Sequence, residues 1–126
     1  MVAIEHVALE CDTIDHAKQL YEDLLGCKIV KKFVLSASLS QEVFSINQQI
    51  DVVVYSSSSG IFEIFITGKT DELAGFRHVC ISVKDIESFL YDCEQLHIET
   101  IIVEKNEKRY VFLRDTIGNI FEIKQQ

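Results

Sequence analysis

The sequence predicts an α+β chain built from two tandem βαβββ modules. Three observations predict it. Residues 6–15, HVALECDTID, return at 78–87 as HVCISVKDIE, with His, Val and Ile identical in place. Residues 61–64, IFEI, return unchanged at 120–123. Between each pair of echoes, hydrophobic periodicity gives the same order of strand, helix and three strands. The offset is 72 residues at the His and 59 at the Glu, so the second half is shorter, and the deletion falls between its helix and its last strand.

Taken in order, residues 2–10 alternate as a strand, with Val7 and Leu9 on one side and Ile4, His6 and Ala8 on the other. Residues 14–25 suit a helix. Ile14, Ala17, Leu20, Tyr21 and Leu24 form its apolar stripe, Thr13 or Asp12 caps it, and Gly26 stands where it stops. Residues 28–35 form a β-branched strand, and SQEVFSI at 40–46 predicts a short helix capped by its serine. Strands at 51–55 and 61–66 are joined by a solvated tip of four serines ending at Gly60. In the second half, a strand at 77–83 leads to a helix at 86–96. Asp85 is its cap, and Ile86, Phe89, Leu90, Cys93 and Leu96 are its buried stripe. Strands at 98–104, 108–114 and 119–124 follow, the last two joined by the turn DTIGN. The modules are about 1–67 and 76–126, joined by a connector at 68–75.

Composition removes several functional classes. The chain has 126 residues, 48% of them apolar and 25% charged, as expected of one globular domain. Its net charge of -8 argues against nucleic-acid binding. No apolar run reaches the ~18 residues of a membrane span. The start, MVAIEHVALECD, lacks the basic opening of a signal peptide, so a cytoplasmic location is the expectation. Cys11, Cys27, Cys80 and Cys93 form no CxxC pair and are expected to be reduced, small, buried hydrophobes. Dinucleotide and P-loop glycine motifs are absent.

Chemistry concentrates on four residues. Glu63 lies in IFEIFI, a strand that looks buried on both faces. A lone carboxylate there costs several kcal/mol unless it is paired or binds a metal. Glu122 repeats the problem, and His6 and His78 occupy equivalent places in two other apolar strands. One strand His is usually structural, and one Glu near a strand edge usually faces water. Two copies of one module, each with one His and one Glu in matching positions, point instead to a shared site. Two modules related by a pseudo-twofold would bring the four side chains together. Two imidazoles and two carboxylates suit a divalent transition metal such as zinc, nickel, cobalt, manganese or iron. Other polar residues have plainer roles. His16 and His97 are expected at the surface, Tyr21 and Tyr91 as core-edge packing, and Asp115, Gly118 and Asn119 as turn formers. Glu42 could approach a pocket.

HVALECDTIDHAKQLYEDLLGCKIV resembles the opening of the vicinal oxygen chelate superfamily. That superfamily holds glyoxalase I, methylmalonyl-CoA epimerase, extradiol dioxygenases, fosfomycin-resistance enzymes and bleomycin-binding proteins. YEDLLGCKI resembles the family's FYxxxLGxxx helix end, and FLRDTIGNIFEI its FxDPxGNxxEL ending. The resemblance covers nearly the whole chain. It implies a single glyoxalase-like domain over 1–126, with paired modules forming a cupped mixed sheet around one divalent metal: nickel, zinc, cobalt or manganese. The family's ligand positions fall on His6, Glu63, His78 and Glu122. That His/Glu/His/Glu set is most similar to glyoxalase I.

The resemblance implies a metal-dependent lyase or isomerase acting on a small substrate with adjacent oxygens. The metal polarises a carbonyl, an enediolate forms, and a ligand carboxylate moves the proton. Glu122 is the implied base and Glu63 the second candidate. Alternatives are an epimerase of coenzyme A thioesters, with Lys31, Lys32, Lys105, Lys108 and Arg109 as a candidate nucleotide patch, and a non-catalytic binding or resistance module. An unassigned metalloprotein of the same fold is a further alternative. Two departures argue against glutathione as the co-substrate: Glu10 stands where glyoxalase I usually has an Arg, and EKNEK at 104–108 replaces a glycine-rich loop. The expected partners are a small-molecule substrate and a second copy of the chain, in a homodimer that closes open sheet edges. Neither nucleic acid nor membrane is expected.

Overall fold

The computed structural model describes residues 1, 3–70 and 75–126. Residue 2 of the first predicted strand and residues 71–74 of the predicted connector lie outside the described residues. The chain divides into two compact units, Met1–Lys69 and Thr70–Gln126.

The first unit runs β1 (Val7–Cys11), α1 (Ile14–Ala17), a π-helical stretch (Lys18–Leu24), β2 (Lys28–Leu35), α2 (Ala37–Phe44), β3 (Ile50–Ser56) and β4 (Ile61–Ile66). Its sheet order is β1-β4-β3-β2. β1 and β4 are parallel and the other neighbours antiparallel. The second unit runs β5 (His78–Val83), α3 (Ile86–Gln95), β6 (Glu99–Lys105), β7 (Lys108–Arg114) and β8 (Ile120–Gln125), with sheet order β5-β8-β7-β6. The fold is therefore two tandem βαβββ modules, the first carrying the additional helix α2.

Alternation gives each sheet two faces. On one face of the first sheet, Tyr21 stacks on Tyr55 with ring centroids 5.2 Å apart and tilts against Phe62 at 5.5 Å. Ala17, Leu20 and Tyr21 of the predicted stripe are buried there, whereas Ile14 at its start is 45% exposed and Leu24 only half-buried. Burial and the nearby Glu22 carboxylate push the Tyr55 phenol up. Thr13 is the N-cap, its side chain accepting from the His16 amide, and Gly26 ends the segment at φ 69°. The helical backbone itself departs from expectation. After one α-turn it widens, and the Leu25 amide donates to the Leu20 carbonyl. Periodicity cannot see this, because the stripe Ala17, Leu20, Tyr21 fits either winding.

Several other boundaries move. The first strand starts at Val7 rather than at residue 2, because its pairing with β4 begins at Phe62. The short helix spans Ala37–Phe44 rather than 40–46. Ser36 caps it by accepting from the Leu39 amide, which leaves Ser40 buried inside the helix. Ser45, at φ 60°, ends it. Tyr91 is 60% exposed and packs no core edge, whereas its counterpart Tyr21 is fully buried. Glu42 is exposed and lies outside the cavity described below. His16 pairs with Asp12 at 2.9 Å near its helix start. The Asp115 carboxylate accepts from the Ile117 and Asn119 amides and from the Asn119 side chain, which fixes the last turn. Arg109, of the candidate basic patch, pairs with Glu87.

Most of the deletion lies between the middle strands. β2 and β3 are joined by residues 36–49, whereas β6 and β7 are joined by Asn106 and Glu107 alone. Both turn residues adopt positive φ, 52° and 62°, as a tight hairpin requires. Among the described residues, no helix is long and apolar enough to cross a membrane.

Candidate metal centre

The four residues of interest occur as two pairs, one in each module. In the first, Ala8 of β1 faces Glu63 of β4 across a parallel ladder. His6 lies two residues before Ala8, so its side chain shares the face of Glu63. His6 Nδ1 is 3.4 Å from a Glu63 carboxylate oxygen. In the second, Cys80 of β5 faces Glu122 of β8, and His78 lies two residues before Cys80. His78 Nε2 is 3.9 Å from a Glu122 carboxylate oxygen. The register repeats too: Val7 faces Phe62 in one ladder and Val79 faces Phe121 in the other. The sequence echoes are thus structural equivalents.

The surroundings differ from the expectation of a strand buried on both faces. Ile64 of β4 is fully buried, but Glu63 retains 20% exposure, Glu122 24%, and the two His side chains nearly half. Each pair stands at an open sheet face where a ligand has access.

Donor chemistry and spacing fit a divalent metal. Two donors on one tetrahedral ion, at bonds of about 2.1 Å, lie about 3.4 Å apart. The His6–Glu63 separation already matches that value, and the His78–Glu122 separation needs a small closure. The second pair adds a tautomer argument. His78 Nδ1 lies 2.9 Å from the Phe76 carbonyl oxygen. A carbonyl only accepts, so Nδ1 carries the proton and donates. The Nε2 lone pair then faces the Glu122 carboxylate at 3.9 Å. A backbone acceptor on the distal nitrogen is also how metal-ligating histidines are commonly held. Among the described residues, no three His, Cys, Asp or Glu side chains are gathered into a metal-sized group. Each pair by itself brings two candidate donors together.

A family model described as the Glyoxalase/Bleomycin resistance protein/Dioxygenase superfamily matches residues 3–123. The chain belongs to this superfamily. No curated protein sequence matches it significantly. Solved structures share the fold at low identity. A glyoxalase family protein from Enterococcus faecalis is 21% identical, with 96% of this chain and 95% of that chain covered and a TM-score of 0.72. The fosfomycin resistance protein FosX from Mesorhizobium loti is 12% identical over 100% and 93%, with a TM-score of 0.70. A lactoylglutathione lyase from Agrobacterium tumefaciens is 21% identical over 98% and 92%, with a TM-score of 0.63.

Within this superfamily chain, three structural features stand beside the pairs, and the first corrects the expectation that all four cysteines are buried. Cys80 is exposed, unlike the buried Cys11, Cys27 and Cys93. It lies on the face of His78, where the first module has Ala8. Desolvation and the adjacent Glu122 carboxylate push its thiol up. The period-two rule counted on from His78 would have found it. Glu10, two residues beyond Ala8 on the same face, pairs with Lys69 at 3.1 Å. Lys69 has no sequence signal, because only folding brings it to β1. Finally, the His6–Glu63 face continues into an apolar cavity of about 170 Å³ beneath α2.

Proposed function

We propose that this chain is a metal-dependent isomerase or lyase of glyoxalase I type, acting on a small substrate with two neighbouring oxygens. His6, Glu63, His78 and Glu122 would hold the ion, the two pairs coming from one chain or from two chains of a homodimer. The observation that carries the proposal is the His–Glu pair repeated in identical register, each time with a partly exposed carboxylate and a half-exposed imidazole side by side. Once bound, a divalent ion supplies Lewis-acid polarisation of a substrate carbonyl, acidifying the neighbouring C–H.

The chain's own residues supply the rest. The Phe76 carbonyl fixes the His78 ring so that Nε2, not Nδ1, faces the site. The Glu122 carboxylate, partly exposed beside that nitrogen, takes a proton from one carbon and returns it to the next. Glu63 holds the matching position in the other module. The Glu10 carboxylate is neutralised by Lys69, so the strand that would present an Arg to a glutathione carboxylate presents a closed ion pair instead. That supports a substrate other than a glutathione conjugate.

Calorimetric titration of the metal-free protein with nickel and zinc tests the proposal. The expected result is one saturable transition-metal site that the Glu122→Gln and His78→Ala variants weaken by at least about tenfold. Binding unchanged in both variants would refute it.

A further inference from the structure

We propose that the chain pairs with a second copy of itself through β6, antiparallel and edge to edge, about a twofold axis at Ile102. The inference stands on the second sheet alone and does not rest on the metal proposal.

β6 is an end strand of its sheet and, among the described residues, pairs only with β7. The ladder to β7 is unbroken from Glu99↔Arg114 to Lys105↔Lys108. Lys105 and Lys108 flank a two-residue turn and so form a hydrogen-bonded pair, and the pairs alternate from there. Glu99, Ile101, Val103 and Lys105 therefore turn their amides and carbonyls towards β7. Those of Thr100, Ile102 and Glu104 point outward, to the side where β6 has no neighbour.

The equivalent edge of the first module is defended. β2 carries Lys28, Lys31 and Lys32, and its register with β3 shifts between Ile29 and Lys31. Lysines and bulges are the usual devices against edge pairing. The centre of β6 has neither: Thr100, Ile101, Ile102 and Val103 are uncharged and their register is regular. Apolar surface flanks this edge on both faces. Thr100 and Ile102 border a shallow groove against α3, with Leu90 and Tyr91. Ile102 is 44% exposed there and Tyr91 60%. On the opposite face Val103, also 44% exposed, faces Tyr110 of β7, 42% exposed.

The occupant follows from the order of residues in the strand. Laid antiparallel on itself about Ile102, ETIIVEK sets Glu99 opposite Lys105 at each end, Thr100 opposite Glu104 and Ile101 opposite Val103. No like charges face each other, and both end pairs are of opposite sign. Glu99 also meets Arg114 of its own chain at 3.4 Å, so the copy's Lys105 joins an existing ion pair. The outward amides and carbonyls of Thr100, Ile102 and Glu104 meet those of the same three residues. Charge, apolar pattern and backbone are self-complementary, and the partner they fit is a second β6.

The seam has a consequence for the His–Glu pairs. Two sheets joined at β6 place five strand spacings of about 4.8 Å between β8 and its copy. The two Glu122 positions then stand roughly 24 Å apart, too far to share one ion. A dimer of this kind leaves each copy its own His78–Glu122 pair.

Sedimentation velocity on the metal-free protein tests the proposal. The unaltered chain should sediment as a dimer at micromolar concentration. Ile102→Lys sets two ammonium groups face to face at the axis and should weaken association by at least about a hundredfold. Val34→Lys, at an exposed position of β2, should leave it unchanged, and urea midpoints compare the folding of the two variants. A second variant requires no disruption. In a Cys80→Ser background, Ile102→Cys should form a covalent dimer on mild oxidation, because facing residues of a hydrogen-bonded pair lie about 5.5 Å apart, within disulfide reach. Val34→Cys should not. A monomeric unaltered chain would overturn the proposal. A dimer that Ile102→Lys leaves intact would place the interface elsewhere and overturn it too, and a dimeric Ile102→Cys variant that does not cross-link would overturn the twofold at Ile102.

Discussion

The two modules share a frame and differ in what surrounds it. Each places a His two residues before the strand position that faces its Glu. Yet only the first inserts a helix between its middle strands, and an apolar cavity lies beneath that helix. The second closes the same gap with Asn106 and Glu107 and presents Cys80 where the first has Ala8. Duplication explains the constancy of the pairs. The difference teaches that frame and surroundings are separable: the repeated ladder places a His–Glu pair twice, and the inserted helix covers an apolar cavity once.

The most severe break of this symmetry would come from the histidines. His6→Ala and His78→Ala should each cost at least about tenfold in nickel affinity, and by similar factors, if both pairs ligate one ion. Competition against a metallochromic chelator measures this, and a loss in one variant alone would assign the site to one module. Core substitutions come next. Ile64 and Ile123 are structural equivalents, 0% and 4% exposed. Ile64→Ala and Ile123→Ala should each cost about 3 kcal/mol. Urea denaturation followed in both variants shows whether the units unfold together or in two steps.

A smaller effect concerns pH. Burial pushes the Cys93 thiol of α3 up to about 11 from 9.0, with Asp92 adding to it, and burial pushes up Cys27 of the first module. An unfolded thiol ionises near its ordinary value while the folded one stays protonated. This stabilisation is complete below the unfolded value and is lost as pH rises through the folded one. Stability should therefore fall by about 1 kcal/mol or more between pH 8 and about 10.5, less so in Cys93→Ala. The mildest test is native thiol labelling. Cys80 should react with an aromatic disulfide before the other three, and slowly for an exposed thiol at neutral pH, because its pKa is raised.

Much of this was legible in the sequence, and the exceptions have physical causes. The echoes HVALECDTID/HVCISVKDIE and IFEI/IFEI located both pairs, because a repeated ladder keeps one register. The strands showed as alternating or β-branched runs, and Asp85 and Thr13 read as caps because their short side chains accept from amides three residues on. Ser36 and Ser40 are both serines with N-cap chemistry, so spacing alone could not choose between them. The exposure of Cys80 depends on which sheet face lacks a helix. The cavity depends on how α2 lies over β1 and β4, which are far apart from it in sequence. Lys69 reaches Glu10 only through the β1–β4 pairing.

The measurement closest to the central claim is the stoichiometry of bound metal. The purified chain is loaded with nickel or zinc, desalted and analysed by elemental mass spectrometry against protein concentration. One ion per chain, reduced to near zero in the His6→Ala, His78→Ala double variant, is the predicted result, since two His–Glu pairs then complete one site. Two ions per chain would mean that each pair works alone. No retained ion in the unaltered protein would contradict the metal centre and leave the four side chains as paired groups at two open sheet faces.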